Sequence, residues 1–173
     1  MAKVKGTKKL CKAVSAQLKP FGITRAELST EYSYVFADGT VTFKITEGTM
    51  EDEWFNEFIE ERFGYHVENT FIISLLHEIG HAKANWEIEG AIQDFCLAEK
   101  ERIAESMAES YNDFETQKIL EWQYFNLPDE IMATQWAVDY ARNHPKKVQK
   151  MWKKFEKAFH KFYEKNLDKE EFI

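Results

Sequence analysis

Two histidines and a glutamate in His77-Glu78-Ile79-Gly80-His81 have the residue types and the spacing to do chemistry. Residues four apart share one face of an α-helix. His77 and His81 can therefore offer two imidazoles to one metal ion, and Zn²⁺ takes imidazole nitrogen at about 2.0–2.1 Å within a tetrahedron of four ligands. Glu78 projects from the neighbouring position, where it can accept a proton from a metal-activated water instead of ligating. The plainer reading is one turn of surface helix with two solvated histidines. Three features weigh against it. The run Phe71-Ile72-Ile73-Ser74-Leu75-Leu76 before the motif is almost all apolar, which buries the helix. Asn69 or Thr70 stands where an N-cap belongs. Gly80, which costs about 1 kcal/mol against alanine in mid-helix, leaves room for a close neighbour between the histidines.

A catalytic zinc site normally has three protein ligands and one open position. Six residues after His81, where a third histidine would complete another zinc-protease pattern, the chain has Glu87. His66, His144 and His160 lack ligand-like settings. Glu130 is the better candidate, because Glu130, Ala133 and Ala137 share one face of a helix that starts at Pro128. A carboxylate followed by two small residues lets that helix come close enough to complete the set. Asp129 is the fallback. Glu87 and Glu89 follow the motif helix too closely to fold back easily. Against this stands the ordinary stabilisation of an early-turn glutamate by the helix dipole.

The elements that must position these groups follow from periodicity. Leu10, Val14 and Leu18 mark a helix over 8–19, ended by Pro20 and Gly22. The runs 32–37 and 40–45 flank Asp38-Gly39, a strong hairpin signal. A two-residue turn there pairs Phe36 with Val41, Tyr34 with Phe43 and Tyr32 with Ile45. A short helix then buries Trp54, Phe55, Phe58 and Ile59 and stops at Gly64. The motif helix spans roughly 70–86. Helices over 91–110, 114–125, 128–143 and 145–167 complete the chain. The first of these, at 91, carries the stripe Ile92, Phe95, Cys96, Ile103 and Met107. The final helix sets Val148, Met151, Trp152, Phe155, Phe159 and Phe162 against a lysine face, read as a core-packing helix with a solvated side. The fold class expected is α+β and mostly helical, with a β-hairpin or small sheet beside the motif helix and several C-terminal helices.

The 173 residues, 44% hydrophobic and 15% aromatic, suffice for one ordinary domain with a real core. No apolar stretch of about 18 residues is present, so no membrane span is expected. No apolar signal region follows the charged N-terminus, so the expected location is the cytoplasm. Cys11 and Cys96 are far apart in sequence and read as reduced thiols. A net charge of −7 speaks against a dedicated nucleic-acid binder. The charge is uneven: the middle of the chain is acidic and the last helix is rich in lysine.

His77-Glu78-Ile79-Gly80-His81 and Glu130-Ile131-Met132-Ala133-Thr134-Gln135-Trp136-Ala137 together resemble the zincin metallopeptidases of the gluzincin kind. More narrowly, the chain is similar to the ImmA/IrrE-like peptidases of phages, mobile elements and bacteria, over roughly residues 32 to 142. Thr134 stands where that family commonly has asparagine, Trp136 where it often has phenylalanine, and the gap between the two motifs is long. The resemblance implies a single zincin-like domain over 1–173, with its core at about 32–142 and an amphipathic helix at about 145–167. It implies Zn²⁺ held by His77, His81 and Glu130. It further implies hydrolysis of peptide bonds by a metal-activated water with Glu78 as base, on a protein or peptide substrate of narrow range. Tyr140 is the candidate to stabilise the oxyanion, with Tyr124 and His66 as other options. The alternative is a non-catalytic zincin scaffold that acts by binding or regulation.

Overall fold

Apolar residues at helical spacing decide most of the architecture, and the polar residues between them decide where each helix stops. The computed structural model describes residues 7–29, 33–35, 38–44, 50–84 and 90–164. Among these it contains seven α-helices and a three-stranded sheet, an α+β fold that is mostly helical. The chain divides into two compact units, one made of residues 1–45 and 144–173, the other of residues 46–143.

In the first unit, α1 (Thr7–Leu18) buries Leu10, Val14 and Leu18, one residue per turn. A 3-10 turn at Lys19–Phe21 follows and ends at Gly22, whose φ of 92° suits glycine. Strands β1 (Arg25–Ser29), β2 (Tyr34–Val35) and β3 (Thr40–Lys44) form a sheet in the order β1-β3-β2. β1 runs parallel to β3, with Ala26 opposite Val41 and Leu28 opposite Phe43. Val41 and Phe43 are fully buried, as the alternation of that strand predicts. The last helix of the chain, Pro145–Tyr163, packs against α1 in this unit and buries Met151, Phe155, Phe159 and Phe162.

Two features here depart from the sequence expectation. β1 is an additional strand, and the hairpin register is shifted by one residue. Val35 pairs with Val41 and Tyr34 with Thr42, whereas an Asp-Gly two-residue turn would pair Tyr34 with Phe43. The cause lies in how Asp38-Gly39 is tied down. The Asp38 carboxylate accepts the Thr40 N–H at 2.8 Å, folding the turn onto β3. The Gly39 carbonyl accepts the Thr24 N–H at 2.8 Å, tying the same turn to the start of β1. Gly39 has φ 81°, and a Cβ there would lie 2.8 Å from the Gly22 carbonyl. The other expected partners, Tyr32, Phe36 and Ile45, lie outside the described residues.

The second unit is all helix. α2 (Met50–Phe63) buries Trp54, Phe58 and Ile59 and stops at Gly64, whose N–H bonds the Glu60 carbonyl at 2.9 Å. The Arg142 guanidinium donates to the exposed carbonyls of Phe63 and Gly64 at that helix end. α3 (Thr70–Ala84) begins on Asn69, whose side chain accepts the Ile72 N–H at 3.0 Å. It buries Ile72, Ile73, Leu75, Leu76 and Ile79. α4 spans Ala91–Glu109. α5 (Phe114–Phe125) is capped by Asp113, which accepts the N–H and hydroxyl of Thr116. α6 (Pro128–Asn143) opens on proline, as its sequence suggests, and α7 is the Pro145–Tyr163 helix of the first unit.

The stripe expected on α4 is only half buried. Cys96 and Ile103 are inside, and Met107 packs on a small cluster of Ile103, Leu120 and Leu127. Ile92 and Phe95 are instead 51% and 52% exposed. Both lie on the first turns of α4, where Cys96 is the buried member of the stripe. No helix among the described residues is long and apolar enough to cross a membrane.

Candidate metal centre

Gly80 and Ala133 set the distance between α3 and α6. A Cβ built on Gly80 would fall 2.4 Å from the Ala133 carbonyl oxygen and 2.9 Å from its Cα. The two backbones therefore touch at this point, and nothing larger than hydrogen fits at residue 80. Ala133 and Ala137 are completely buried on the facing side of α6. Glu130, one turn before Ala133, is carried by this contact onto the face of α3 that bears the histidines. Small residues on both helices thus convert a sequence pattern into a meeting of three ligand groups.

His77 Nε2 lies 3.0 Å from Glu130 Oε2, and His81 Nε2 lies 3.4 Å from the same oxygen. The two Nε2 atoms are 3.1 Å apart. Ligand atoms about 2.05 Å from a tetrahedral zinc stand about 3.3 Å from one another, so these separations already match a common metal sphere. The triad is the His/Cys/Asp/Glu group among the described residues whose ligand atoms converge in this way. Glu130 is 2% exposed and His77 is 8% exposed. Two imidazole nitrogens and one carboxylate oxygen facing each other in so dry a place form a donor set that suits a divalent cation. The residues present therefore fit a metal.

The supports around the triad come from four helices. His77 Nδ1 is 2.9 Å from the Thr134 hydroxyl, itself buried on α6. That contact fixes the ring so that Nε2 faces the centre. Phe55 of α2 packs edge-on against the same imidazole at 5.4 Å between centroids, and Phe125 packs on Phe55. The second oxygen of Glu130, Oε1, accepts from the Lys100 ammonium at 2.5 Å, and Lys100 also donates to Asp129 Oδ2 at 2.5 Å. The ammonium lies 5.3 Å from the centre of the Tyr124 ring.

Electrostatics follow from this packing. Burial alone would push Glu130 up, but hydrogen bonds from His77 and His81 and their charge hold it well below the usual carboxylate range. It is an anion. Burial works against the Lys100 charge, yet Glu130 and Asp129 raise its pKa, and it stays an ammonium. Burial, the charge of Glu130 and a hydrogen bond to Glu130 push the Tyr124 phenol up, so its hydroxyl keeps its proton. Burial raises the Glu78 carboxyl, against the pull of His77 and His81. A carboxylate whose proton affinity is raised in this way is a better base than a solvated one.

The structure brings together His77, His81 and Glu130, as the spacing predicts, with Glu78 in the field of all three. Asp129, the fallback ligand, is engaged by Lys100 instead. Tyr140 is placed elsewhere. It lies ten residues beyond Glu130 on α6, roughly 15 Å of helix rise, and stacks on Trp136 at 5.5 Å. Tyr124 is the phenol that reaches Glu130. His66 is on the surface, paired with Glu60 at 2.5 Å. Glu87 and Glu89 lie outside the described residues. Lys100 is the participant that sequence reasoning missed. Its signal was a lysine on the line Cys96, Lys100, Ile103, Met107, the inward side of α4.

Compared with known proteins, the chain matches no family model, no curated protein and no solved structure.

Proposed function

We propose that the protein is a zinc-dependent metallopeptidase of the gluzincin kind, with His77, His81 and Glu130 as the metal ligands. The observation that carries this reading is the convergence of His77 Nε2, His81 Nε2 and Glu130 Oε2 within 3.0–3.4 Å, with Glu78 feeling the charge of all three. Bound zinc would supply a Lewis acid that acidifies a water and polarises a scissile carbonyl. The chain's own residues do the rest. Glu78 takes a proton from the attacking water on its carboxylate and passes it to the leaving amine. Tyr124, whose hydroxyl keeps its proton and bonds Glu130, would have to turn that O–H away from the carboxylate to serve the developing oxyanion. Thr134 and Phe55 hold the His77 ring, and the close approach of Gly80 to Ala133 holds α6 against α3 beside the ligands.

Two measurements on purified protein test this. The first is metal content, expected at one zinc per chain and lost in His77→Ala and in Glu130→Ala. The second is cleavage of unstructured protein substrates, expected to vanish in Glu78→Gln while the zinc remains. Absence of stoichiometric metal from the wild type removes the reading. Zinc with no difference between wild type and Glu78→Gln favours the non-catalytic scaffold.

A further inference from the structure

The Glu130 carboxylate divides its two oxygens between two different tasks. Oε2 faces both histidines, and Oε1 faces Lys100 at 2.5 Å. Lys100 arrives from α4, an element that bears no metal ligand, and on its other side it holds Asp129 Oδ2 at 2.5 Å. Both carboxylates sit on the first turn of α6. The lysine stem lies on the buried side of α4 between Cys96 and Ile103, one turn from each, so the ammonium has little freedom to leave. The charge is thus built in rather than swung in from solvent.

From this geometry we infer that Lys100 is a positioning residue for the metal centre: by occupying Oε1 it limits Glu130 to single-oxygen ligation and keeps the fourth coordination position open. The inference rests on the metal reading of the triad. A carboxylate with both oxygens free can close on a divalent cation through both, filling a position that substrate or water needs. With Oε1 held by an ammonium, only Oε2 remains for the metal. The same contact neutralises Glu130 before any metal arrives, so the three ligands stay assembled in the metal-free protein. A merely structural ion pair between α4 and α6 would stabilise the fold but leave the coordination number unchanged.

Cobalt(II) distinguishes these cases, because four-coordinate cobalt absorbs visible light far more strongly than five- or six-coordinate cobalt. The probe is Co²⁺ added to metal-free full-length protein, followed by absorption and by competition with a chelator. Wild type should give the strong four-coordinate band. Lys100→Met should give a weaker, shifted band and bind cobalt roughly 10–100-fold less tightly, the usual effect of losing a group that orients a ligand. Lys100→Arg, which keeps a cation on Oε1, should restore most of the band. Lys100→Met leaves the Glu130 and Asp129 carboxylates without their cation, so the double variant Lys100→Met with Asp129→Asn, which removes one charge of each sign and leaves no donor for Oε1 at residue 100, decides the matter where the single variant does not fold. A wild-type band and wild-type affinity in the variant that folds overturn the inference. If wild type itself takes up no cobalt, the metal reading fails instead, and the two failures are told apart by that first titration.

Discussion

One hydroxyl and one aromatic ring hold the imidazole of His77 in place. Thr134 Oγ1, 2.9 Å from His77 Nδ1 and almost wholly buried, is the group that turns Nε2 toward Glu130. Replacing Thr134 with valine keeps the shape of the side chain and removes the hydrogen bond. It leaves Nδ1 unpaired in a dry site, and metal affinity should fall roughly 10–100-fold. Competition with a zinc chelator measures this, and unchanged affinity would show that packing by Phe55 alone orients the ring. The meeting of the three candidate ligands could be read from the chain because their relations are local. Two histidines four apart and a glutamate three before an alanine are facts about one helix each. Thr134, four residues beyond Glu130, belongs to the same helical face and drew notice only as a departure from the family pattern. Lys100 could not be placed beforehand, and Tyr124 stood only as an option beside Tyr140 and His66, since each comes from a helix whose rotation about its axis depends on tertiary packing.

Between elements, the decisive contact is backbone against backbone. Gly80→Ala puts a methyl group 2.4 Å from the Ala133 carbonyl oxygen, and backbone cannot swing aside as a side chain can. Alanine is the better helix former by about 1 kcal/mol, but separating two packed helices costs about 1–3 kcal/mol or more. The variant should therefore lose stability on urea denaturation and lose metal affinity with it, because Glu130 moves away with α6. A variant as stable as wild type, with metal affinity intact, would mean that the α3–α6 spacing can relax freely. Helix ends give a second test. The Asp113 carboxyl, capping α5 through Thr116, is held below its usual range by those hydrogen bonds. A depressed folded pKa contributes stability above the unfolded carboxylate pKa, and that contribution is lost as pH falls through the folded value. Asp113→Ala should lower the melting temperature at neutral pH, and the gap to wild type should close in strong acid. Helix positions were legible because apolar periodicity and caps agree along each segment. β1 was not, because Arg25-Ala26-Glu27-Leu28-Ser29 has little β preference of its own and becomes a strand by pairing with β3. The hairpin register was misjudged for a related reason: Thr24 bonds the Gly39 carbonyl, and that long-range tie outweighs the local preference of Asp-Gly.

Across the whole molecule, charge follows the division into two units. Residues 46–143, which contain the triad, hold 22 of the 30 acidic residues and 6 of the 23 basic ones, a balance of −16. Residues 1–45 and 144–173 hold the other 17 basic and 8 acidic residues, a balance of +9. The overall −7 conceals this split, which shows in the chain as an acidic middle and a lysine-rich last helix, and the basic unit is assembled from the two ends. On the peptidase reading, the acidic unit sets a field at the site that attracts cations, metal ions and basic peptides alike. Fields of this kind reach about a Debye length, roughly 30 Å at 0.01 M salt and 8 Å at 0.15 M. Two peptides matched in length and uncharged residues, one rich in lysine and one in glutamate, should therefore differ in kcat/KM at low ionic strength, with the lysine-rich peptide ahead. The gap should narrow steadily as salt is raised, and most of the change should fall on KM, because the field acts on encounter rather than on proton transfer at Glu78. Equal rates for the two peptides at 0.01 M salt would show that the lysine at position 100 and local neutralisation around Glu130 leave no net field for a substrate to feel.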